Sequence, residues 1–151
     1  MSGAILGIDP GTRRVGIAVS DEGGSIAFPL TVINRGDDDS FVDELVELAK
    51  LREAAEIVVG LPRRLDGTEG PEAKGALLLA KRLKNELGIP VHLVDERFTT
   101  TISEAALRST QMTTRKQRPV VDKIAATVLL QGFLDSRNAK PDPTQGQDGV
   151  D

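Results

Sequence analysis

The sequence has no cysteine, no tryptophan and no tyrosine, and it holds a single histidine. Without cysteine there is no disulfide, no thiolate metal centre and no cysteine nucleophile. A multi-histidine metal site is excluded as well, and a serine–histidine triad would rest on His92 alone. That residue sits inside a strand-like run and is read as structural. The four phenylalanines are the only aromatics, too few to lay out a row of rings for stacking single-stranded bases. No apolar run approaches the length of a membrane span and no stretch at the N-terminus reads as a signal peptide, so a cytoplasmic location is expected.

What is present describes an ordinary globular chain. Its 151 residues, 39% apolar and 28% charged, suffice for one domain with a real core. The net charge of −4 stands at first against a nucleic-acid partner. Half of it lies in the last fourteen residues, where Lys140 stands against Asp142, Asp148 and Asp151. Pro, Gly, Gln and Asp dominate there without apolar periodicity, so 138–151 is expected to be a disordered tail behind a domain spanning 1–137. Basic residues instead gather around the candidate site, among them Arg13, Arg14, Arg63, Arg64, Arg97, Arg115, Lys116 and Arg118.

Apolar runs bounded by turn residues predict five strands, at 4–9, 14–20, 25–33, 56–60 and 91–96. Pro29 marks the third as an edge strand or a bulge. Ser40 with Asp43 predicts a capping box opening the first helix. Its inner face would carry Phe41, Leu45, Leu48 and Ala49. Pro71 opens a second helix with Ala73, Ala76, Leu77, Ala80, Leu83 and Leu87 inward, closed by Gly88. Thr101 and Glu104 predict a short helix over roughly 102–109. The stretch 111–118 reads as a polar, basic loop, and Pro119 as the start of the last helix, 120–137. Three antiparallel strands followed by two strand–helix units, with right-handed crossovers, give a mixed five-stranded α/β sheet with helices on both faces. The carboxyl ends of strands one, four and five then share an edge, where open α/β sheets bind ligands.

Acids collect at that edge. Asp9 ends the first strand, Asp95 and Glu96 end the fifth, and Asp122 lies in the first turn of the last helix. Neighbouring strand residues face opposite sides, so Asp95 and Glu96 cannot both aim the same way. Crowded carboxylates need a cation, and all-oxygen ligands favour Mg²⁺ or Mn²⁺. Such ions activate water and stabilise a leaving oxygen in phosphodiester hydrolysis. Taken singly, Asp9 also fits a turn former, Asp122 a helix N-terminal charge, and Asp95 with Glu96 partners for Arg97.

Four segments in series, GIDPGTRRVGIA, IVVGLP with DGTEGP behind it, LVDERFTT and VVDKIAATVLL, resemble the YqgF/RuvX family, described both as Holliday junction resolvases and as pre-16S rRNA nucleases. The likeness runs from residue 4 to 137. It implies a ribonuclease H-like fold and a Mg²⁺- or Mn²⁺-dependent nuclease site. By matching motifs, Asp9, Glu96 and Asp122 would be the catalytic, metal-binding acids, with Asp95 the weaker candidate in its motif. The favoured partner is structured RNA, in pre-16S ribosomal RNA maturation, with branched DNA as the alternative. A non-catalytic nucleic-acid or transcription-machinery module is a third reading. Likeness to RuvC-type resolvases is looser. They carry an acid where this chain has Val59-Gly60-Leu61-Pro62, and a second acid on the last helix where this chain has Pro119 or Ala125. Nucleic-acid contacts are expected from Thr12, Arg14, Arg63, Arg64, Arg97, Arg115, Lys116 and Arg118. The sequence leaves monomer and homodimer both open.

Overall fold

The computed structural model describes residues 3–36, 38–62, 70–95 and 114–139, with side chains of the last segment described from 123 to 138. The strands are β1 (Ile5–Pro10), β2 (Arg14–Ser20), β3 (Ala27–Asn34), β4 (Glu56–Leu61) and β5 (Val91–Asp95). The helices are α1 (Ser40–Leu51), α2 (Pro71–Leu87) and α3 (Thr114–Ala139). The sheet order is β3-β2-β1-β4-β5. β2 is antiparallel to β1 and β3, whereas β4 runs parallel to both β1 and β5. This is the mixed sheet expected from the chain order.

Alternation along the central strands divides the core in two. Leu6 and Ile8 of β1 join Val15 and Ile17 of β2, Ile57, Val59 and Leu61 of β4, and the inner faces of α1 and α2. Ile5, Ala18, Ala27 and Val58 point the other way and pack with Ala126, Leu129, Leu130 and Leu134 of α3. β3 lies at the sheet edge, and the register shifts where Pro29 and Thr31 pair with Ala18 and Ile17. Pro29 therefore stands where its missing N–H does least harm.

Several local expectations need correction. Ser40 makes no side-chain cap; Asp39 occupies the cap position without a side-chain bond. Asp38 Oδ1 instead accepts the Ser40 N–H at 3.0 Å, and Asp43 pairs with Arg82 across to α2 at 3.2 Å. On α2 the buried face contains Leu79 rather than Leu77, which is exposed. Gly88 closes α2 as expected, at φ 68. The largest change is at α3, which begins at Thr114 and takes Pro119 inside it. The basic stretch 114–118 is thus helical. α3 also continues through Ala139, two residues past its expected end at 137. The expected short helix over 102–109, and residues 140–151 of the tail, lie outside the described residues.

The far end of the sheet is tied to α3 by a charged cluster. Glu56, at the start of β4, accepts both Arg137 terminal nitrogens at 2.9 and 2.7 Å. It also accepts His92 Nε2 at 2.8 Å. The Phe133 ring lies under Arg137 at 4.6 Å and beside His92 at 5.0 Å. His92 thus serves the structure. The Arg137 bonds, with help from His92, hold the Glu56 carboxyl down from 4.5 to about 2. A depressed carboxyl stabilises the fold above its unfolded value, and that contribution is lost as pH falls between about 4.5 and about 2. Because the side chain keeps 23% exposure, solvent screening reduces the effect to about 1–2 kcal/mol. Glu56→Gln should cost that much at neutral pH and flatten stability across this acid window. Denaturant melts of both proteins at stepped pH measure it.

Candidate active site

The same alternation places the sequence-predicted acids. Gly7 faces α3 so closely that a Cβ there would stand 2.8 Å from Leu130 Cβ and 3.2 Å from the Ala126 carbonyl oxygen. Asp9, two residues further, is on that same α3 face, half-buried at the end of β1. Its cross-strand partner on β2 is Gly16. On β4 the pairing of Ile8 with Val59 brings Gly60 up next. Asp9 thus stands between two positions without side chains.

The direction of α3 follows from its ends. Arg137 binds Glu56, which pairs with Ile5 at the start of β1, while Ala126 lies over Gly7. The helix therefore runs against β1. Asp122 precedes Ala126 by one turn, about 6 Å, in the direction that β1 advances from Gly7 to Asp9, about 7 Å. The side chain of Asp122 lies outside the described residues, as does Glu96 altogether. Asp95 is described. It pairs with Leu61, which belongs to the α1/α2 core, so Asp95 is on the face opposite Asp9. The residues at the end of β4 are Val59, Gly60 and Leu61, all buried, and none is an acid.

Among the basic candidates, Arg14 opens β2 two residues before Gly16 and shares the Asp9 face. Thr12 lies in the turn between β1 and β2. That turn is tightly set: Gly11 N–H donates to the Arg14 carbonyl at 3.0 Å, and a Cβ on Gly11 would stand 2.4 Å from that oxygen. Arg63, Arg64 and Arg97 lie outside the described residues, as do the side chains of Arg115, Lys116 and Arg118. The last three nevertheless have a backbone position. α3 extends twelve residues back from Ala126 to Thr114, about 18 Å, whereas β1 continues only three residues beyond Gly7, about 10 Å. The basic first turns therefore extend past the Asp9 end of β1.

Sequence reading missed Arg35. Its Nη1 donates to the Gly11 carbonyl at 2.7 Å, and its guanidinium lies 4.4 Å from the centre of the Phe41 ring. The backbone N–H of Arg35 also donates to the Arg13 carbonyl at 2.8 Å. An arginine just after an edge strand gave no signal, because its partners are brought to it by the sheet.

Solved structures share this architecture. Thermus thermophilus RuvC in complex with a Holliday junction substrate matches with a TM-score of 0.56 at 16% identity, over 90% of this chain and 96% of that one. The fowlpox virus resolvase, solved with Holliday junction DNA, matches with a TM-score of 0.55 at 12% identity, over 89% and 98%. The chain therefore has a ribonuclease H-like fold, with an acid at the end of its central strand. A family model described as RuvX, Holliday junction resolvase, matches residues 3–136, and the chain belongs to that family of nucleases. A relative in Moorella thermoacetica is 41% identical over 87% of this chain and 94% of its own length. Another in Opitutus terrae is 45% identical over 91% and 95%. Both are provisionally named pre-16S rRNA nucleases.

Proposed function

We propose that this chain is a divalent-metal-dependent nuclease that hydrolyses phosphodiester bonds in structured RNA, with the precursor of 16S ribosomal RNA as its substrate. The observation that carries the reading is Asp9, set between glycine positions on the face against which α3, the helix bearing Asp122, is seated. Asp9, Glu96 and Asp122 are the residues that would hold Mg²⁺ or Mn²⁺. A rigid strand-end carboxylate flanked along the sheet by glycine positions fits a small, hard cation and a phosphate together. When bound, such an ion lowers the pKa of a water and offsets charge building on the phosphate oxygens.

The chain's own part is placement. β1, paired on both sides, fixes the Asp9 backbone. Arg14, on the same face, supplies positive charge for the phosphate ahead of the scissile one. The basic first turns of α3 extend over the edge and would follow the strand's backbone further out. These contacts are to phosphate and carry register rather than sequence. The relatives' names favour ribosomal RNA. The family description favours a four-way DNA junction, but β4 ends without an acid, so a fourth carboxylate in the manner of RuvC-type resolvases is missing there. A side-by-side assay with Mg²⁺ or Mn²⁺ on a 16S precursor and on a synthetic four-way junction decides between them. Precursor cleavage is expected; junction cutting with the RNA left intact reverses the assignment.

The basic turns make a separate prediction. Replacing Arg115, Lys116 and Arg118 together with alanine should weaken RNA binding and reduce the slope of log affinity against log salt by about 2. Filter binding across a salt series measures this. An unchanged slope would return the three side chains to ordinary surface charge.

A further inference from the structure

A cleft of about 280 Å³ lies on the α1/α2 side of the turn that follows Asp9, and its walls include Thr12, Arg35, Phe41, Glu72, Gly75 and Leu79. Its most telling feature is Gly75. Glycine inside a helix costs about 1 kcal/mol relative to alanine, and such a position usually has a packing reason. Gly75 is the fifth residue of α2, yet a Cβ there would meet nothing within 4 Å. The helix backbone is left bare towards an open cleft. The second feature is Arg35, whose guanidinium is held over the Phe41 ring at 4.4 Å and by the Gly11 carbonyl at 2.7 Å. A fixed guanidinium plane is a stacking surface for a base, and it needs no exposed aromatic ring. The third is composition. Pro10, Phe41, Pro71, Ala76 and Leu79 make the walls largely apolar, with Arg35 and Glu72 as the charges among the described lining residues. A phosphate would be poorly placed against Glu72. A planar ring with donors and acceptors on its rim suits one cation and one carboxylate.

We infer that this cleft is a nucleobase subsite. It takes the base of one nucleotide of the substrate strand, next to the nucleotide whose phosphate lies at Asp9. The inference rests on the nuclease reading for its substrate class. Pro10, Gly11 and Thr12 are the shared wall: Asp9 ends one side of it on the α3 face, and the cleft opens on the other. A strand crossing the sheet edge can therefore place a phosphate at Asp9 and an unpaired neighbouring base in the cleft. Such a subsite demands a base free of its stack, as in a single-stranded end or loop of a folded RNA.

The test fills the cleft. Gly75→Leu places a side chain in open space, so the melting temperature should hold or rise. Binding of the four ribonucleoside 5′-monophosphates is followed by ligand-observed NMR on the full chain, without cleavage. The wild type is expected to bind at least one of them through base protons, and Gly75→Leu to weaken that binding about ten-fold or more. Glu72→Gln should alter which base is preferred while leaving the fold unchanged. A wild type showing no base-proton contact with any of the four overturns the inference, as does a stably folded Gly75→Leu that binds like the wild type. Because the readout is binding, it is independent of whether the nuclease reading survives its own cleavage assay.

Discussion

Asp9→Asn is expected to leave a folded protein that binds RNA and scarcely cuts it. β1 is the central strand, hydrogen-bonded to β2 and β4, so its last residues are held by backbone pairing. Asparagine keeps the shape and the half-buried packing, and stability should change by no more than about 1 kcal/mol. The chemistry should change far more. A neutral amide is a poor ligand for Mg²⁺ or Mn²⁺, and losing it removes several kcal/mol of charge stabilisation. Cleavage should fall by about 10³-fold, equivalent to about 4 kcal/mol of barrier, while RNA affinity is retained. Melting temperature, RNA binding and Mg²⁺-dependent cleavage should be measured on one preparation. If Asp9 is only the first residue of an Asp-Pro-Gly turn, the pattern inverts: a modest loss of stability with turnover intact. Near-normal cleavage by well-folded Asp9→Asn would therefore remove Asp9 from the metal site; a nucleic-acid-binding module is favoured only if the unaltered protein does not cut either.

Much of this arrangement was legible in the sequence because its signals are local. Strands announce themselves as apolar runs ending in turn residues, and Asp9 was visible because the first such run ends on an acid. The parallel relation of β1, β4 and β5 followed from chain order and the handedness of crossovers. Pro29 marked its strand as an edge or a bulge, and both are present. Signals failed where two local preferences competed. Pro119 normally opens a helix, but α3 extends ahead of it to Thr114. At α1, both Ser40 and Asp38 can satisfy the first turn, and the carboxylate does so. Leu77 and Leu79 lie on either flank of the α2 stripe, and only packing against the sheet selects Leu79. Contacts across the fold were beyond reach altogether. Glu56 meets His92 and Arg137 from 36 and 81 residues away, and Arg35 owes its fixed position to Gly11 and Phe41. No residue pattern along the chain encodes those meetings. The face of Asp95 was likewise decided only by strand register, which sets it opposite Asp9.

Gly7→Ala should damage both stability and catalysis, and the two losses have one cause. The added Cβ would stand 2.8 Å from Leu130 Cβ and 3.2 Å from the Ala126 carbonyl oxygen. Neither atom is the end of a flexible side chain, so neither can turn aside. Trimming Leu130 to alanine keeps its Cβ and gives no relief. The available response is for α3 to lift from the sheet by some tenths of an ångström, loosening Ala126, Leu129, Leu130 and Leu134 from Ile5, Ala18 and Val58. Overpacking of this kind costs about 1–3 kcal/mol. The lift also reaches the site, because Asp122 is one turn along the displaced helix and Asp9 remains on the strand. Displacing a positioning group by up to about 1 Å can cost about 10²-fold in rate. Cleavage should therefore fall by roughly ten- to a hundred-fold at temperatures well below melting, where the variant is fully folded. Gly132→Ala is the matched control: it adds the same methyl on α3 itself where nothing lies within 4 Å, and it should gain about 0.5–1 kcal/mol from helix propensity. Denaturant melts and single-turnover cleavage on both variants separate the effects. Wild-type cleavage by a Gly7→Ala protein that melts several degrees early would confine the close contact to stability. α3 would then have no part in setting the geometry around Asp9.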